Sequence, residues 1–110
     1  MNLLADLHVH TTASDGTLTP SETVICAEGA GLAAVGICDH DTVDGIPEAL
    51  RAANGRDILV VPGVEINTDY GKEEIHVLGY FIDCESDYLK EQLTMLRSGR
   101  EDRAGRIVAK

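Results

Sequence analysis

Two short, uninterrupted apolar runs restrict the fold of this chain more than any other feature. Residues 32–38 (LAAVGIC) and 58–61 (ILVV) contain no polar side chain. A strand that is apolar at every position, instead of at alternate positions, is typically buried on both faces. Parallel sheets that are covered by helices bury their strands in this way, so the sequence predicts an α/β fold with a largely parallel sheet.

Helix signals lie between the predicted strands. Thr19 is predicted as an N-cap, Pro20 as the first helical residue and Glu22 as the partner that closes a capping box. Gly31 is predicted to end this helix. A second, shorter helix is predicted over residues 47–53, ahead of the third strand.

The remaining segments complete the predicted order β-α-β-α-β-β-α. Residues 3–10 are predicted as a buried first strand, and the third strand is predicted to continue from residues 58–61 into residues 64–66 after a Pro-Gly pair. Residues 75–82 are predicted as a fourth strand, reached by a turn around residues 70–72. A last helix is predicted from Ser86, with apolar Leu89, Leu93 and Leu96 on one face.

The chain length bears on how complete such a fold can be. A closed α/β barrel typically needs about 250 residues, whereas this chain has 110, and its last helix reaches Lys110 without a stop signal. We therefore expect a single domain over residues 1–110 that forms about half of a barrel and is truncated within a helix. Because half a barrel exposes an apolar edge, we also expect self-association.

Charge and cysteine content exclude some classes of partner. Nine Lys and Arg residues stand against 19 Asp and Glu residues, a net charge of −10, which argues against a broad nucleic-acid surface. No apolar run approaches the roughly 20 residues that a membrane span needs, and no signal peptide is predicted. Three widely spaced cysteines, an odd number without a CxxC pair, predict free thiols and a cytoplasmic location.

Polar residues that can bind metals follow the predicted strands. His8 and His10 lie two residues apart and project to one face of the first strand. His40 and Glu65 come at the ends of the next two strands, and His76 lies in the fourth, so all four histidines of the chain belong to this set. Imidazoles and carboxylates without clustered thiolates suit catalytic Zn²⁺, Mn²⁺ or Fe²⁺ better than a closed structural zinc site.

Four motifs carry a family resemblance: DLHVHTTASDGTLTPSE, ICDHDTVDG, PGVEIN and EIHVLGYFID. With them the chain resembles the PHP (polymerase and histidinol phosphatase) family of metal-dependent phosphoesterases. The amino-acid sequence of these motifs is most similar to that of small stand-alone members, which include 3′,5′-nucleoside bisphosphate phosphatases and 5′→3′ exoribonucleases. The resemblance implies the N-terminal half of a distorted (β/α)7 barrel, and it implies that the remaining metal ligands and the substrate-binding residues lie beyond Lys110.

The resemblance also implies roles for individual residues. It implies two or three divalent cations. His8 and His10 are implied as ligands of one metal, and Glu65 as the bridge from it to a second. His76 is implied as a ligand of that second metal, and Asp15 and His40 as ligands of a third. Asp6 and Asp39 are expected to orient the imidazoles. The alternative for both is a carboxylate at a strand end that accepts hydrogen bonds from backbone N–H groups.

The implied activity is hydrolysis of a small phosphorylated substrate, a nucleotide or nucleoside bisphosphate, by metal-activated hydroxide. An acidic protein can accept such an anion because the cations supply the positive charge. Two alternatives remain open at this point. The chain could be a metal-binding PHP remnant without activity, or a PHP module associated with a DNA polymerase.

Overall fold

The computed structural model describes the backbone of residues 3–70 and 73–108, and the side chains of residues 3–68 and 73–98. Its elements follow the predicted order. They are β1 (Ala5–Val9), α1 (Pro20–Gly29), β2 (Ala34–Ile37), α2 (Ile46–Ala53), β3 (Leu59–Tyr70), β4 (Glu73–Tyr80) and α3 (Asp87–Val108). Residues 71 and 72 of the predicted turn lie outside the described part of the chain.

The four strands form one curled sheet in the order β1-β2-β3-β4. The pairs β1–β2 and β2–β3 are parallel, whereas β3 and β4 form an antiparallel hairpin. This is the predicted α/β half-barrel. The antiparallel pairing sets Asn67 of β3 opposite His76 of β4, so the beginning of β4 lies beside the second half of β3.

Helix ends follow the local signals closely. The Thr19 side chain accepts a hydrogen bond from the Glu22 N–H at 3.1 Å, and the Glu22 carboxylate accepts one from the Thr19 N–H at 2.9 Å. The predicted capping box is therefore confirmed, and these bonds hold the pKa of Glu22 below its usual value. The last residue of α1 is Gly29 and its C-cap is Ala30. Gly31 follows with a φ of +84°, so the predicted stop signal is confirmed.

The hydrophobic core lies between the sheet and the helices. Its fully buried members include Val24 of α1, Ile37 of β2, Ile46 of α2 and Leu93 of α3. Leu96, which was predicted to share the apolar face of α3, is 38% exposed. Among the described helices, none is both long and apolar enough to cross a membrane.

One prediction about the strands is wrong. Strand β1 was expected to be buried, but four of its five residues are exposed, because it lies at the edge of the sheet and pairs only with β2 among the described strands. The third strand was predicted to continue after the Pro-Gly pair, and β3 runs through Pro62 and Gly63 without a break. Gly63 lets the strands approach closely there, because a Cβ would lie 2.8 Å from the Cys38 sulfur.

Replacing Gly36 with alanine should destabilise the sheet. An added Cβ would lie 2.8 Å from the Leu7 carbonyl oxygen and 2.9 Å from the Leu7 Cα, and backbone atoms cannot move aside freely. Overpacking of this kind costs about 1–3 kcal/mol, measurable by urea unfolding. Gly29→Ala is the matched control, because nothing lies within 4 Å of its Cβ position and a helical Gly→Ala change is neutral or stabilising. Equal effects of the two changes would contradict the close approach of β1 and β2.

Candidate metal centre

Glu65 is the central residue of the candidate site. Its side chain is buried, at 3% exposure for the residue, and four imidazoles surround its carboxylate. His8 Nε2 hydrogen-bonds to Oε1, and His10 Nε2 lies 3.5 Å from the same oxygen. On the other oxygen, Oε2, His76 Nδ1 lies at 2.9 Å and His40 Nδ1 at 3.0 Å. One anionic group therefore contacts every histidine of the chain.

The backbone explains how His40 reaches this position. Beyond the end of β2, the chain continues to pair with β3: the Glu65 N–H donates to the Asp39 carbonyl at 3.0 Å, and the Asp41 N–H donates to the Glu65 carbonyl at 2.9 Å. His40 and Glu65 thereby form an isolated parallel bridge. His40 thus lies just beyond the end of β2, as predicted, at the rim that the carboxyl ends of the parallel strands form. Glu65 was predicted at the end of its strand but lies in the middle of β3, because β3 continues past it to pair with β4.

The hairpin explains how His76 reaches the same rim. His76 lies early in β4, a position that would be far from the rim in a parallel strand. Because β4 runs antiparallel to β3, its early residues lie beside the second half of β3, where His76 pairs with Asn67, two residues after Glu65. The direction of β4 therefore brings His76 to the Glu65 carboxylate.

Electrostatics favour the ionised form of Glu65. Burial by itself raises the pKa of this carboxyl group, but hydrogen bonds with His76 and His8 and the proximity of His40 and His10 outweigh that effect, so the pKa lies below its usual value. The hydrogen bond to Glu65 raises the pKa of His76 above its usual value, against a smaller effect of desolvation. The centre thus combines a buried carboxylate anion with several imidazoles.

A second group of ligand atoms adjoins the first through His10. Asp15 Oδ1 lies 2.9 Å from His10 Nδ1, and Asp15 Oδ2 lies 3.1 Å from His40 Nε2. Partial burial raises the pKa of Asp15, but the hydrogen bond with His10 and the proximity of His40 and His10 lower it overall. Although this side chain is 66% exposed, its two oxygens are thus directed at two imidazoles.

All six predicted ligands are brought together. In each of two groups, His8–His10–Glu65 and His10–Asp15–His40, ligand atoms lie within 4.8 Å of one another. His76 is outside both groups but contacts Glu65. The donor set of imidazole and carboxylate fits Zn²⁺, Mn²⁺ or Fe²⁺, and the nearby Cys38 thiol donates instead to the Leu7 carbonyl at 3.4 Å. The assignment of these residues as ligands stays a prediction.

The two aspartates that were expected to orient imidazoles have other partners. Asp39 is 1% exposed, and its carboxylate accepts hydrogen bonds from the Thr11 N–H (2.6 Å), the Thr11 hydroxyl (2.8 Å) and the Ser14 hydroxyl (2.7 Å). Asp6 Oδ1 accepts one from the His8 N–H at 3.2 Å. Both aspartates therefore match the alternative of bonding to backbone N–H groups, and Asp39 in addition fixes the loop that carries Asp15.

Sequence reasoning missed several residues at this rim. The Asn67 side chain lies 2.7 Å from His40 Nδ1, and its position two residues after Glu65 on the same strand was a usable signal. Thr11 and Ser14 had no such signal, because their partner Asp39 lies 28 and 25 residues further along the chain. Their pairing depends on how β1 and β2 are placed side by side.

With this geometry established, comparison with known proteins decides the family. A family model described as the PHP domain matches residues 6–102. The chain belongs to the PHP family. The resemblance inferred from the four motifs is therefore confirmed.

Several named proteins share much of the sequence of this PHP chain. It is 41% identical over 102 residues to a 5′-3′ exoribonuclease of Haemophilus influenzae, covering 93% of this chain and 37% of the relative. It is 38% identical over 104 residues to a 3′,5′-nucleoside bisphosphate phosphatase of Chromobacterium violaceum, covering 94% and 36%. The chain therefore spans little more than a third of the length of these relatives.

Solved structures give the same fold. A protein of Bifidobacterium adolescentis, for which a metal-dependent phosphoesterase function is itself a proposal, superimposes with a TM-score of 0.83 at 32% identity, covering 94% of this chain and 36% of that one. An amidohydrolase of Chromobacterium violaceum gives a TM-score of 0.84 at 37% identity, covering 96% and 37%. The half-barrel of this PHP chain is therefore shared with longer proteins of the family.

Proposed function

We propose that this chain is part of a hydrolase that cleaves a phosphate ester in a small, nucleotide-like substrate with the help of divalent cations. The observation that carries the proposal is the convergence of four imidazoles on the buried Glu65 carboxylate. The names of the relatives support it, because an exoribonuclease and a nucleoside bisphosphate phosphatase both act on phosphate esters of nucleotides.

Two or three cations, of Mn²⁺, Zn²⁺ or Fe²⁺, are proposed. His8, His10 and Glu65 would hold one, Glu65 and His76 would contribute to a second, and Asp15 and His40 would contribute to a third. Bound divalent cations would lower the pKa of a coordinated water molecule and would neutralise negative charge on a phosphoryl group. Because only part of the relatives' length is covered, the substrate and the complete ligand set belong to this proposal.

The proposed ligands already lie close together without a bound cation. Glu65 presents Oε1 toward His8 and His10 and Oε2 toward His40 and His76, so one carboxylate faces ligands on both sides. Its lowered pKa keeps it ionised at neutral pH. The Asp39 hydrogen bonds hold the loop of Asp15 close to the same rim. Little rearrangement of these ligands is therefore needed for binding.

Three further features of the chain support proposals about its partners and its location. With a charge of −10, we propose a small anionic substrate that is attracted by the cations rather than a long nucleic acid bound over a broad surface. Free Cys26, Cys38 and Cys84 are compatible with the proposed cytoplasmic location. The exposed apolar side chains of Leu3, Leu4 and Leu7 at β1 motivate the proposed self-association.

The test combines metal content with phosphate release. Purified chain is loaded with Mn²⁺, its metal content and intact mass are measured, and release of phosphate from a 3′,5′-nucleoside bisphosphate is followed. We expect the 110 residues to bind Mn²⁺. Phosphate release that stops when the metal is chelated is expected from a protein that also carries the residues which the family resemblance places beyond Lys110.

The other outcomes separate the alternatives. If the encoding reading frame ends at Lys110, a chain that binds Mn²⁺ but releases no phosphate would favour the metal-binding remnant, whereas a frame that continues with a further His and an Asp-x-His pair would favour the enzyme. A chain that binds no transition metal would contradict the metal centre itself. The relatives named above are an exoribonuclease and a phosphatase, which favours neither the remnant nor the polymerase-associated module.

A further inference from the structure

The first strand contains an irregularity next to His8. In the β1–β2 ladder, Asp6 pairs with Val35 and Val9 pairs with Ile37, so two residues of β1, Leu7 and His8, face the single residue Gly36 of β2. This two-against-one arrangement is a β-bulge. Bulges are frequent next to functional sites, where they redirect a side chain. Here the redirected side chain is the first predicted metal ligand.

The peptide group at this bulge is held from both sides. Its carbonyl, that of Leu7, accepts hydrogen bonds from the Tyr80 hydroxyl at 2.7 Å and from the Cys38 thiol at 3.4 Å. Its N–H, that of His8, donates to Asp6 Oδ1 at 3.2 Å. Because a peptide group is planar, bonds at its oxygen and at its N–H together fix the plane. That plane helps to set the direction in which the His8 side chain leaves the backbone.

The Tyr80 bond spans the largest sequence separation of the three bonds described. Tyr80 is the last residue of β4, at the opposite edge of the sheet from β1, and lies 73 residues from Leu7 in sequence. The curl of the sheet brings the two edges within reach of one hydroxyl group. The bond therefore joins the strand that carries His8 to the strand that carries His76, and both histidines contact Glu65.

Among the described residues, the His8 ring contacts Glu65 and the ring of His10, whose centroid lies 5.1 Å away. Its side chain is 50% exposed, and its ring meets Glu65 only at Nε2. We propose that Tyr80 is a positioning residue whose hydroxyl holds the Leu7–His8 peptide group in the bulge, and so directs His8 toward Glu65. The expected effect of Tyr80 on metal binding rests on the proposed metal centre. Its expected effect on the Leu7–His8 peptide group does not.

Tyr80→Phe tests the inference, because it removes the hydroxyl and keeps the ring. Tyr88→Phe is the matched control, since Tyr88 is 73% exposed on α3. Loss of one hydrogen bond corresponds to roughly a fivefold change in an equilibrium constant. In the metal-free chain, we expect the His8 amide proton to exchange with solvent about fivefold faster in Tyr80→Phe and unchanged in Tyr88→Phe.

Titration with Co²⁺, followed by its absorption spectrum, measures the consequence for metal binding. We expect Tyr80→Phe to weaken Co²⁺ binding about fivefold, and Tyr88→Phe to leave it unchanged. In a His8→Ala background, Tyr80→Phe should cause no further loss, because its effect acts through His8. A purely structural role would weaken binding equally in both backgrounds.

Two results would overturn the inference. One is an unchanged His8 exchange rate in Tyr80→Phe, and the other is an equal loss of Co²⁺ affinity with and without His8. If the unaltered chain binds no Co²⁺, the proposed function fails, but the exchange rate still decides the role of Tyr80, because that measurement contains no metal.

Discussion

Replacing Glu65 with glutamine is expected to weaken binding of Co²⁺ or Mn²⁺ to this chain by about 100-fold or more. Changes to residues that only support a ligand typically cost 10- to 100-fold in metal affinity, and Glu65 is expected to be a ligand itself. Glutamine keeps the size of the side chain but removes the negative charge that faces four imidazoles. Isothermal titration calorimetry with either cation measures the effect.

Glu74→Gln is the matched control for this change. Glu74 is also a carboxylate near an imidazole, with Oε1 3.5 Å from His76 Nε2, but its side chain is 63% exposed. We expect its removal to leave the affinity nearly unchanged, because an exposed charge is screened by solvent. If Glu65→Gln and Glu74→Gln bind the cation equally well, the buried carboxylate is not a ligand and the candidate centre is refuted.

Replacing Asp39 with asparagine is expected to lower the free energy of unfolding by about 3 kcal/mol. The buried carboxylate accepts three hydrogen bonds from Thr11 and Ser14, and hydrogen bonds to a charged group contribute about 1.5–3 kcal/mol each, while a buried donor left without an acceptor costs about 1–3 kcal/mol. The NH₂ group of an asparagine would replace one of the two carboxylate oxygens, and it would face a hydrogen-bond donor that the oxygen had accepted from. Urea unfolding of the metal-free chain measures the loss.

Asp44→Asn is the control for Asp39→Asn. Asp44 lies in the next loop and is exposed, so its replacement should change the stability by less than about 0.5 kcal/mol. Similar losses for the two variants would show that the Asp39 hydrogen bonds contribute little. Because the same bonds hold the loop of Asp15, Asp39→Asn should also weaken Co²⁺ binding.

The order of the elements could be predicted because its signals are local. The capping box of α1 involves Thr19 and Glu22, which are three residues apart, and the structure confirms it. Strand β2 lies within its predicted apolar run, shortened at both ends. In each case, the decisive interactions are between close neighbours in sequence or are a consequence of burial on both faces.

Burial of individual strands could not be predicted in the same way. Residues 3–10 are apolar enough for a buried strand, but β1 is exposed because it lies at the sheet edge. The close packing of β3 at Gly63 likewise depends on neighbouring strands, since Gly63 permits the close approach of Cys38 and Gly79. Both outcomes follow from sheet order, which is a property of the whole chain.

The sequence by itself determined the kinds of side chain at the candidate site and the strand that carries each one. Only the tertiary structure decided how they meet: the antiparallel direction of β4 brings His76 to Glu65, and the curl of the sheet brings Tyr80 to Leu7 across 73 positions. The physical reason is range. Caps and apolar runs act over a few residues, whereas the distance from His8 to Glu65, 57 positions apart, is set by strand order, register and curl.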